Sequence, residues 1–564
     1  MNIEQHIEQL KAEFDVLAVV DLTEWTEDFT LSRNWLEHAC KKLHQDPYAH
    51  NQRIVFSHQQ DFYIDPDQSP GIIVENLQEI LNFVDISNFF VVLVTTNLNI
   101  HNEFAKILNK DQNPITVIQS DGKFKKNVID STSLKNKIYR YGSSDPVKID
   151  LKSLTDHERF LLTESKTFCM YPWIHLHAYP TGEAYPCCHA EMELGQIGSC
   201  RTQSLKDIWN ADKQKQLRID MLSETSNPTC NRCYEQEKSE FFSGRQSANK
   251  HHGHQIGRIK ETQDDGHVEQ FEMTYWDIRF SNLCNLKCRS CGHVFSSQWY
   301  QDQAKLAGSD WKDRNTVLNY AGRTETDMWE QLEPHLDYVE QIYFAGGEPL
   351  LMEEHYRILE ELVRRKRFDV RLIYNTNFTH TELKGRSVFE YWKLFDSVAV
   401  GASLDDSGTR GEYIRKGTDW AVVEQNRRDM LKICPEVDFY ISPTLSIMNA
   451  RHLPDFHRDW IEKGLIKPQD LNVNILQGPE YYRIDIAPAE YKQELSTIYF
   501  NHIMWLRGQD PLGRATQGFE SAVKFMMATD NTHIIDTFWR KTHELDDIRK
   551  EDILKVIPEL AALK

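Results

Sequence analysis

Three cysteines lie within the eight residues CNLKCRSC, at positions 284, 288 and 291. In a reducing compartment, clustered cysteines are more often metal ligands or catalytic groups than disulfides. A structural zinc site almost always uses four protein ligands, whereas three ligands leave one metal position open. An open position is where a substrate or cofactor binds. The segment therefore predicts a catalytic metal centre, and the chain must fold so that this loop meets a ligand site.

Composition and charge narrow the class of protein. The chain has 564 residues, which predicts about two to four domains. Its 85 acidic and 65 basic residues give a formal charge of −20. The sequence has no basic stripe of the kind that binds nucleic acid, so we do not expect a nucleic-acid partner. No apolar run approaches the ~18 residues that span a bilayer, and the N-terminal sequence lacks a secretion signal. We therefore predict a cytoplasmic protein without membrane contact.

The first 120 residues alternate short apolar runs with helical patterns. Predicted strands are 16–22, 53–58, 89–97 and 115–121, and predicted helices are 72–84 and 102–109. Such alternation is typical of a parallel α/β sheet. No glycine follows the first strand in VVDLTEWTED, so the dinucleotide-binding fingerprint is absent. The sequence predicts an α/β domain over 1–120 without indicating its role.

Two polar stretches are predicted as linkers, residues 121–165 and residues 249–267. The second stretch contains histidines at 251, 252 and 254, and a metal site is the alternative interpretation of these three residues. We expect both stretches to be solvated, because neither carries the apolar periodicity of a packed element.

Strand–helix alternation returns between about 270 and 480. Predicted strands are 274–280, 341–345, 370–377, 397–404, 437–445 and 471–476. Six strands with helical crossovers predict a partial (β/α)6 TIM-like barrel with its site at the C-terminal ends of the strands. The three cysteines follow the first of these strands, which puts them at that end. Apolar residues at helical spacing predict a helical C-terminal region over 481–564.

The motifs that follow these strands resemble the radical SAM superfamily, whose signature is C-x3-C-x2-C. AGGEP (345–349) follows the second strand, NTN (375–377) the third and ASLD (402–405) the fourth, and YIRKG (413–417) comes next. The resemblance implies a four-iron site cluster held by Cys284, Cys288 and Cys291. Its open iron would chelate the amino and carboxylate groups of S-adenosylmethionine. Many members have an aromatic residue where this chain has Ser290.

The resemblance also implies which residues bind S-adenosylmethionine. The AGGEP turn faces the methionine amino group, NTN faces the ribose, and a serine and an arginine hold the carboxylate, for which a guanidinium fork is well suited. An ordinary tight turn and a surface salt bridge are the alternatives for AGGEP and the arginine. The implied cofactor-binding residues are Gly346, Gly347, Glu348, Asn375, Asn377, Ser403 and Arg415.

A second cysteine set precedes the barrel, within a predicted domain over 166–248. Its order, Cys169, then Gly-x4-Cys187, a helix and CNRC, resembles the twitch domain, a shortened SPASM domain. The resemblance implies an auxiliary four-iron cluster held by Cys169, Cys187, Cys230 and Cys233. Cys188 competes with Cys187, but the Gly-x4-Cys spacing favours Cys187. A tetrahedral zinc site is the alternative. The cysteines predicted not to be ligands are Cys40, Cys200 and Cys434.

Together these resemblances imply a radical SAM enzyme with an N-terminal twitch domain. It would cleave S-adenosylmethionine reductively and use the 5′-deoxyadenosyl radical to abstract hydrogen from a substrate. By analogy the substrate is a peptide or protein side chain, with a small molecule as the alternative. The reductant would be an external protein such as flavodoxin or ferredoxin. A non-catalytic iron–sulfur or zinc scaffold is the competing class, but it needs neither AGGEP nor Ser403 and Arg415.

Overall fold

The computed structural model divides the chain into two units. One unit comprises residues 1–141 with 506–513, and the other comprises 142–505 with 514–564. The residues that the structure describes are four strands within the first 120 residues, then 149, 151, 153–238, 242–324, 326–511 and 513–563.

The described part of the first unit is a four-stranded parallel sheet in the order β1-β2-β3-β4. Its valine- and isoleucine-rich strands match the four predicted apolar runs, since β-branched side chains suit a pleated surface. The predicted helices at 72–84 and 102–109 lie outside the described residues. The strands are β1 (Val16–Asp21), β2 (Arg53–His58), β3 (Phe90–Thr95) and β4 (Ile115–Gln119).

The second unit is built on an eight-stranded sheet in the order β14-β13-β10-β9-β8-β5-β6-β7. Strands β5, β8, β9, β10, β13 and β14 are parallel, whereas β6 and β7 pair antiparallel at one edge. The strands are β5 (His175–Ala178), β6 (Glu183–Tyr185), β7 (Gly198–Ser199), β8 (Tyr275–Ile278), β9 (Gln341–Phe344), β10 (Arg371–Thr376), β13 (Val398–Ala402) and β14 (Asp438–Ile441). Two small pairs are β11 (Glu382–Leu383) with β12 (Arg386–Ser387), and β15 (Thr444–Leu445) with β16 (Asn474–Ile475).

Strand β5 belongs to the cysteine-rich segment, yet it pairs in parallel with β8. The predicted domains 166–248 and 270–480 therefore share one sheet. Five predicted strands of the second domain correspond to β8, β9, β10, β13 and β14. The sixth predicted strand, 471–476, is irregular: Leu471 forms an isolated parallel bridge with Ile441 of β14, and β16 pairs with the short β15.

Helices connect and cover the strands of the second unit. In the part of the chain that the structure describes, no helix combines the length and apolar character needed to cross a bilayer. The helices are α1 (Asp156–Thr163), α2 (Leu205–Trp209), α3 (Asp212–Leu222), α4 (Asn231–Lys238), α5 (Gly244–His252), α6 (Trp299–Ala307), α7 (Ser309–Arg314), α8 (Asp327–Leu332), α9 (Glu353–Arg364), α10 (Val388–Trp392), α11 (Gly408–Ile414), α12 (Trp420–Ile433), α13 (Leu453–Glu462), α14 (Ala489–Leu506), α15 (Arg514–Ala528), α16 (Ile535–Arg549) and α17 (Ile553–Val556).

The second stretch predicted as a linker is folded, whereas the first, 121–165, lies mostly outside the described residues. Residues 156–163 form α1, whose Leu161 packs into a buried cluster with Phe168. The stretch 249–267 continues α5 into a 3-10 helix over Gly253–Glu261. Its histidines do not converge, because His252 stacks on Tyr275 and His254 pairs with Glu340 at 2.8 Å. Polar composition misled the prediction because these side chains find buried partners.

The two faces of the parallel sheet differ in polarity. Side chains alternate between faces along a strand. One face is apolar and buried, with Leu176, Trp276, Ile342, Leu372, Val400 and Phe439. The other carries His177, Asp277, Tyr343, Asn375, Asp438 and Tyr440. Parallel sheets are usually apolar on both faces. The polar face, called the inner face from here on, therefore indicates a ligand site.

Asp438 on this inner face should make stability depend on pH. Burial raises the pKa of its carboxyl to about 6, and Oδ2 has no hydrogen-bond partner among the described residues. Because the pKa is higher in the folded protein than in the unfolded chain, the folded state favours the protonated carboxyl. This contribution to stability is complete below about pH 4 and is lost as the pH rises through about 6. We expect Asp438→Asn to exceed the parent in stability by up to ~3 kcal/mol at pH 8 and by less at pH 5. Anaerobic thermal melts would refute this if the gap were equal at both pH values.

Candidate metal and cofactor site

The three cysteines of CNLKCRSC lie in the loop that follows β8. Within it the Cys291 N–H donates to the Cys288 carbonyl at 3.1 Å, and the Leu286 N–H donates to the Cys284 Sγ at 3.4 Å. Burial raises the pKa of all three thiols, to about 12 for Cys291, and the Cys288 sulfur adds to the increase in the other two. The structure therefore brings the three predicted ligands together.

Two side chains direct donors at sulfur atoms of this loop. The Arg415 Nη1 lies 3.7 Å from the Cys288 Sγ, and the Asn377 Nδ2 lies 3.9 Å from the Cys284 Sγ. Such donors favour the thiolate, which is the form that binds metal. Soft thiolates suit zinc or an iron–sulfur cluster, and three of them leave a position for another ligand. The donor set thus fits the predicted site cluster.

The AGGEP turn presses against the start of the cysteine loop. Gly346 and Gly347 have positive φ, +82° and +49°, a conformation that favours glycine. A Cβ added at Gly347 would lie 2.4 Å from the carbonyl oxygen of Leu283, the residue before the first cysteine. The Glu348 N–H also donates to that carbonyl at 2.7 Å. Only glycine allows this approach, so the turn is more than a generic connection.

Glu348 ties the turn to the end of β10. Its Oε1 accepts from the Thr376 hydroxyl and its Oε2 accepts from the Asn377 N–H, both at 2.7 Å. Burial raises the pKa of this carboxyl to about 7. These contacts fix the turn against the end of β10.

Asn375, Asn377 and Ser403 lie at the same ends of the strands. The Asn375 Oδ1 approaches Gly401 so closely that an added Cβ there would lie 2.9 Å away. The Ser403 N–H donates to the Thr376 carbonyl at 2.7 Å. The Asn377 side chain donates to the Asn285 Oδ1 at 2.9 Å. The Asn377 side chain is therefore bonded to the cysteine loop, and the ribose-facing role of the NTN segment stays a prediction.

Arg415 forms a buried ion pair and is not the surface salt bridge considered above. Its side chain is 12% exposed, and its Nε and Nη2 lie 2.9 and 3.0 Å from the two carboxylate oxygens of Asp405. Asp405 also accepts from the Thr444 N–H at 2.7 Å. Asp405 was not among the predicted site residues, although it is the last residue of the ASLD motif.

The second cysteine set surrounds a cavity that is partly open to solvent. All four predicted ligands, Cys169, Cys187, Cys230 and Cys233, line it. Among the described residues, no three His, Cys, Asp or Glu side chains are placed to hold a single metal ion. A four-iron cluster instead takes its thiolates on separate irons, so a thiol-lined cavity fits the predicted auxiliary cluster.

Backbone N–H donors and the Arg245 cation near the cavity are suited to stabilise cysteine thiolates. The Gly244 and Arg245 N–H groups at the start of α5 donate to the Cys233 sulfur, which offsets part of the increase that burial causes in its pKa. Arg245 donates to the Ser165 and Phe168 carbonyls at 3.0 Å each, which fixes its cation beside the cysteines. Hydrogen bonds to sulfur tune iron–sulfur centres.

Cys188 lies outside the set that lines this cavity. Burial and then the neighbouring Asp277 carboxylate raise the pKa of its thiol to about 12. Cys188 therefore belongs to the inner face of the sheet, and the geometry favours Cys187 as the ligand. Cys200 and Cys434 are buried elsewhere, and Cys40 lies outside the described residues.

We predict that Cys187→Ser and Cys188→Ser differ in iron content. Two four-iron clusters would give about eight irons per chain. Loss of the Cys187 thiol should remove about four of these, because its cluster loses a ligand. Cys188→Ser is the matched control, with the same change one residue away, and should keep the full complement. Iron analysis after anaerobic reconstitution would contradict the assignment if Cys188→Ser lost iron and Cys187→Ser kept it.

A buried charged group on the inner face was missed by the sequence analysis. The Asp277 carboxylate accepts from the Arg279 Nε at 2.7 Å and lies 3.0 Å from the His177 Nδ1. Burial opposes ionisation, but Arg279 and His177 hold the pKa of Asp277 well below its usual range. Arg279 packs on the AGGEP turn, where a Cβ added at Gly346 would lie 2.8 Å from it. This group therefore lies between Cys188 and the turn.

Comparison with known proteins supports the second cysteine set. Residues 169–234 match the SPASM family model, an iron–sulfur cluster-binding domain. The match spans all four predicted auxiliary ligands and confirms the resemblance of this segment. The comparison with curated proteins finds no match.

Several solved structures are distantly similar to the chain. Native anSMEcpe with bound AdoMet and Cp18Cys peptide is 20% identical, with a TM-score of 0.27 over 41% of this chain and 60% of that one. His6-tagged anSMEcpe with bound AdoMet is 22% identical, with a TM-score of 0.29 over 41% and 58%. The cobalamin-dependent S-adenosylmethionine radical enzyme OxsB is 10% identical, with a TM-score of 0.22 over 96% and 63%. The chain thus spans about 60% of the anSMEcpe structures, and likenesses this weak carry no argument about its activity.

Proposed function

We propose that this chain, whose residues 169–234 form a SPASM-type iron–sulfur domain, is a radical SAM enzyme that acts on its substrate by hydrogen abstraction. The observation that carries the proposal is the contact between the AGGEP turn and the cysteine loop. A scaffold or electron carrier would need three thiols, but it would not need Gly347 pressed against the Leu283 carbonyl or Arg415 beside Cys288.

Each part of the site has a role in this proposal. Cys284, Cys288 and Cys291 hold the site cluster, which with S-adenosylmethionine supplies reductive cleavage to a 5′-deoxyadenosyl radical. The backbone of the AGGEP turn receives the methionine amino group. Ser403 and Arg415 receive the carboxylate. The buried surroundings exclude water from the reacting groups, which is the protein's usual contribution to cofactor chemistry.

In this role the Arg415 guanidinium would divide its N–H donors between Asp405 and the cofactor carboxylate. The guanidinium has five N–H donors, and Asp405 engages Nε and Nη2. Nη1 is directed at the Cys288 sulfur, so donors remain on the side of the cysteine loop. Asp405 thereby orients the fork toward the position where a carboxylate would lie against the cluster.

The auxiliary site has a different role. Cys169, Cys187, Cys230 and Cys233 supply four thiolates, so that a cluster there has no open ligand position. We assign to it electron transfer or substrate placement. An external one-electron reductant such as flavodoxin or ferredoxin supplies electrons to the protein. Both clusters are suited to a reducing compartment, in keeping with the expected cytoplasmic location.

We propose a peptide or protein side chain as the substrate, with a small molecule as the alternative. The proposal rests on the SPASM-type domain, because twitch and SPASM relatives often modify peptides or proteins. The polar inner face, with Asp277, Arg279, Tyr343 and Cys188, is the surface on which we place the reacting part of the substrate.

The proposal is tested by anaerobic reconstitution with iron and sulfide, followed by addition of dithionite and S-adenosylmethionine. We expect release of 5′-deoxyadenosine, measured by liquid chromatography with mass detection. The scaffold alternative predicts none. Absence of release with dithionite and with a flavodoxin system would favour that alternative.

A further inference from the structure

The cysteine loop is joined by backbone hydrogen bonds to the segment that carries Arg415. The Lys287 N–H donates to the Lys416 carbonyl at 2.9 Å, and the Arg289 N–H donates to the Ile414 carbonyl at 2.8 Å. These two bonds lie on either side of Arg415. Any change in the distance between the two segments therefore moves Arg415 relative to the cysteines.

Side chains from both segments converge on one carboxylate, Asp546 of the C-terminal helix α16. Arg289 of the cysteine loop donates to Asp546, and the Tyr413 hydroxyl donates to its Oδ1 at 2.8 Å. The Arg289 guanidinium lies 3.7 Å from the centre of the Tyr413 ring. The other oxygen, Oδ2, accepts from the Ile553 N–H at 2.9 Å. Asp546 is thus bonded to the cysteine loop and to the Arg415 segment at once.

This arrangement is costly to build for stability alone. The Arg289 and Asp546 side chains are 1% and 5% exposed. Desolvation of such a pair can equal or exceed its Coulombic attraction, so apolar residues of similar volume often stabilise a fold as well or better. Glu551 adds a second carboxylate 2.8 Å from Arg289. We therefore attribute the Arg289–Asp546 pair to the geometry that it defines in this protein.

A second set of contacts links the same helix to the cysteine loop. The Arg549 Nε lies 2.8 Å from the Asp302 carboxylate, which also pairs with Lys287 at 3.0 Å. Arg549 lies over the Trp299 ring at 4.7 Å, and the indole N–H of Trp299 donates to the Cys288 carbonyl at 2.8 Å. Helix α16 therefore supports the loop on both sides of Cys288.

We propose that Asp546 is a positioning residue of the cofactor site. By holding Arg289 and Tyr413 together it fixes Arg415 beside the cysteine loop, where its Nη1 lies 3.7 Å from the Cys288 Sγ. The inference rests on the proposed function, since it assigns Arg415 to that carboxylate. The proposal predicts that helix α16 controls the affinity for the cofactor, although none of the residues of α16 is assigned to contact the cofactor.

The test compares Asp546→Asn with Asp547→Asn. Both remove one carboxylate charge from the same helix, but Asp547 is exposed and serves as the matched control. In Asp546→Asn an amide N–H₂ replaces one acceptor oxygen. At the Oδ1 position it removes the acceptor of both Arg289 and Tyr413, and at the Oδ2 position it removes that of the Ile553 N–H. In either orientation Arg289 loses a counter-charge. Titration of the reduced protein with S-adenosylmethionine, followed by the electron paramagnetic resonance signal of the site cluster, gives the affinity.

We expect Asp546→Asn to keep the parent iron content while its affinity for S-adenosylmethionine falls by about 10-fold or more, as for other supporting residues of metal sites. Asp547→Asn should match the parent. Because Arg415 is misplaced rather than removed, 5′-deoxyadenosine release should recover at high cofactor concentration, which appears as a raised KM with a smaller change in kcat. A folded Asp546→Asn variant with the parent's affinity would overturn the proposal.

A second variant covers the case in which Asp546→Asn does not fold. Arg289→Met combined with Asp546→Leu replaces the ion pair by apolar side chains and leaves fewer unpaired buried charges. We expect a folded protein with a lowered melting temperature, because the Tyr413 hydroxyl and the Ile553 N–H lose their acceptor, and with the same loss of affinity. Parent affinity in this double variant would equally overturn the proposal. If the parent itself shows no response to S-adenosylmethionine, the proposed function fails first, and Asp546 loses the role that depends on it.

Discussion

Cys288→Ala is expected to reduce 5′-deoxyadenosine release by at least about 100-fold, to background. Cys288 is the central one of the three proposed ligands, and its sulfur is the one that Arg415 approaches. Without its thiolate the site cluster has two protein ligands, and the position opposite the guanidinium is lost. Anaerobic assays with dithionite and S-adenosylmethionine measure the effect directly.

The matched control for Cys288→Ala is Cys434→Ala. Cys434 is also buried, but it follows helix α12 and is not one of the proposed ligands. The same substitution there removes a similar volume, so it reports any general cost of a cavity. Cys434→Ala should release 5′-deoxyadenosine at close to the parent rate. Equal loss in both variants would mean that folding, and not ligation, explains the result.

The double substitution Cys230→Ala, Cys233→Ala should have a different effect. We expect this variant to keep release of 5′-deoxyadenosine and to lose modified substrate, because cofactor cleavage belongs to the other cluster. The assay requires the substrate, with product and 5′-deoxyadenosine measured in the same sample. Iron content should fall by about half.

Folding must be checked in this variant because a cluster can brace its domain. Cys200→Ala is the control, since Cys200 is buried in the same segment and does not line the cavity. A thermal melt of each variant separates loss of the domain from loss of the cluster. Product formed at the parent rate by a well-folded double variant would show that the auxiliary site has no part in the reaction.

Most parallel strands of the second unit were predictable because their signal is local. The run VRLIYNTN predicted a strand over 370–377, and β10 spans Arg371–Thr376. Alternation of strands with helical segments predicted parallel pairing, which β9, β10 and β13 show. The clustering of the three cysteines in one loop was also predictable, since they are separated by only a few residues.

Long-range pairing was not predictable in the same way. HLHA at 175–178 reads as a strand, but nothing within it indicates that its partner is β8, 100 residues later. The same limit applies to the charges of the site. Asp277 pairs with His177 across those two strands, and Asp546 pairs with Arg289 over 257 residues. Each appears in the sequence as an unremarkable charged residue, because its partner is defined only by the fold.

The most direct test of the central claim is whether S-adenosylmethionine binds to an iron held by Cys284, Cys288 and Cys291. The Cys230→Ala, Cys233→Ala variant is the best sample, because only the site cluster would then contribute to the spectrum. Reduced protein is mixed with S-adenosylmethionine labelled with ¹⁷O in the carboxylate, and hyperfine coupling to the cluster is measured by electron–nuclear double resonance. We predict a resolved ¹⁷O coupling that is absent when Cys288→Ala is added. A reduced four-iron signal without any ¹⁷O coupling would contradict the account.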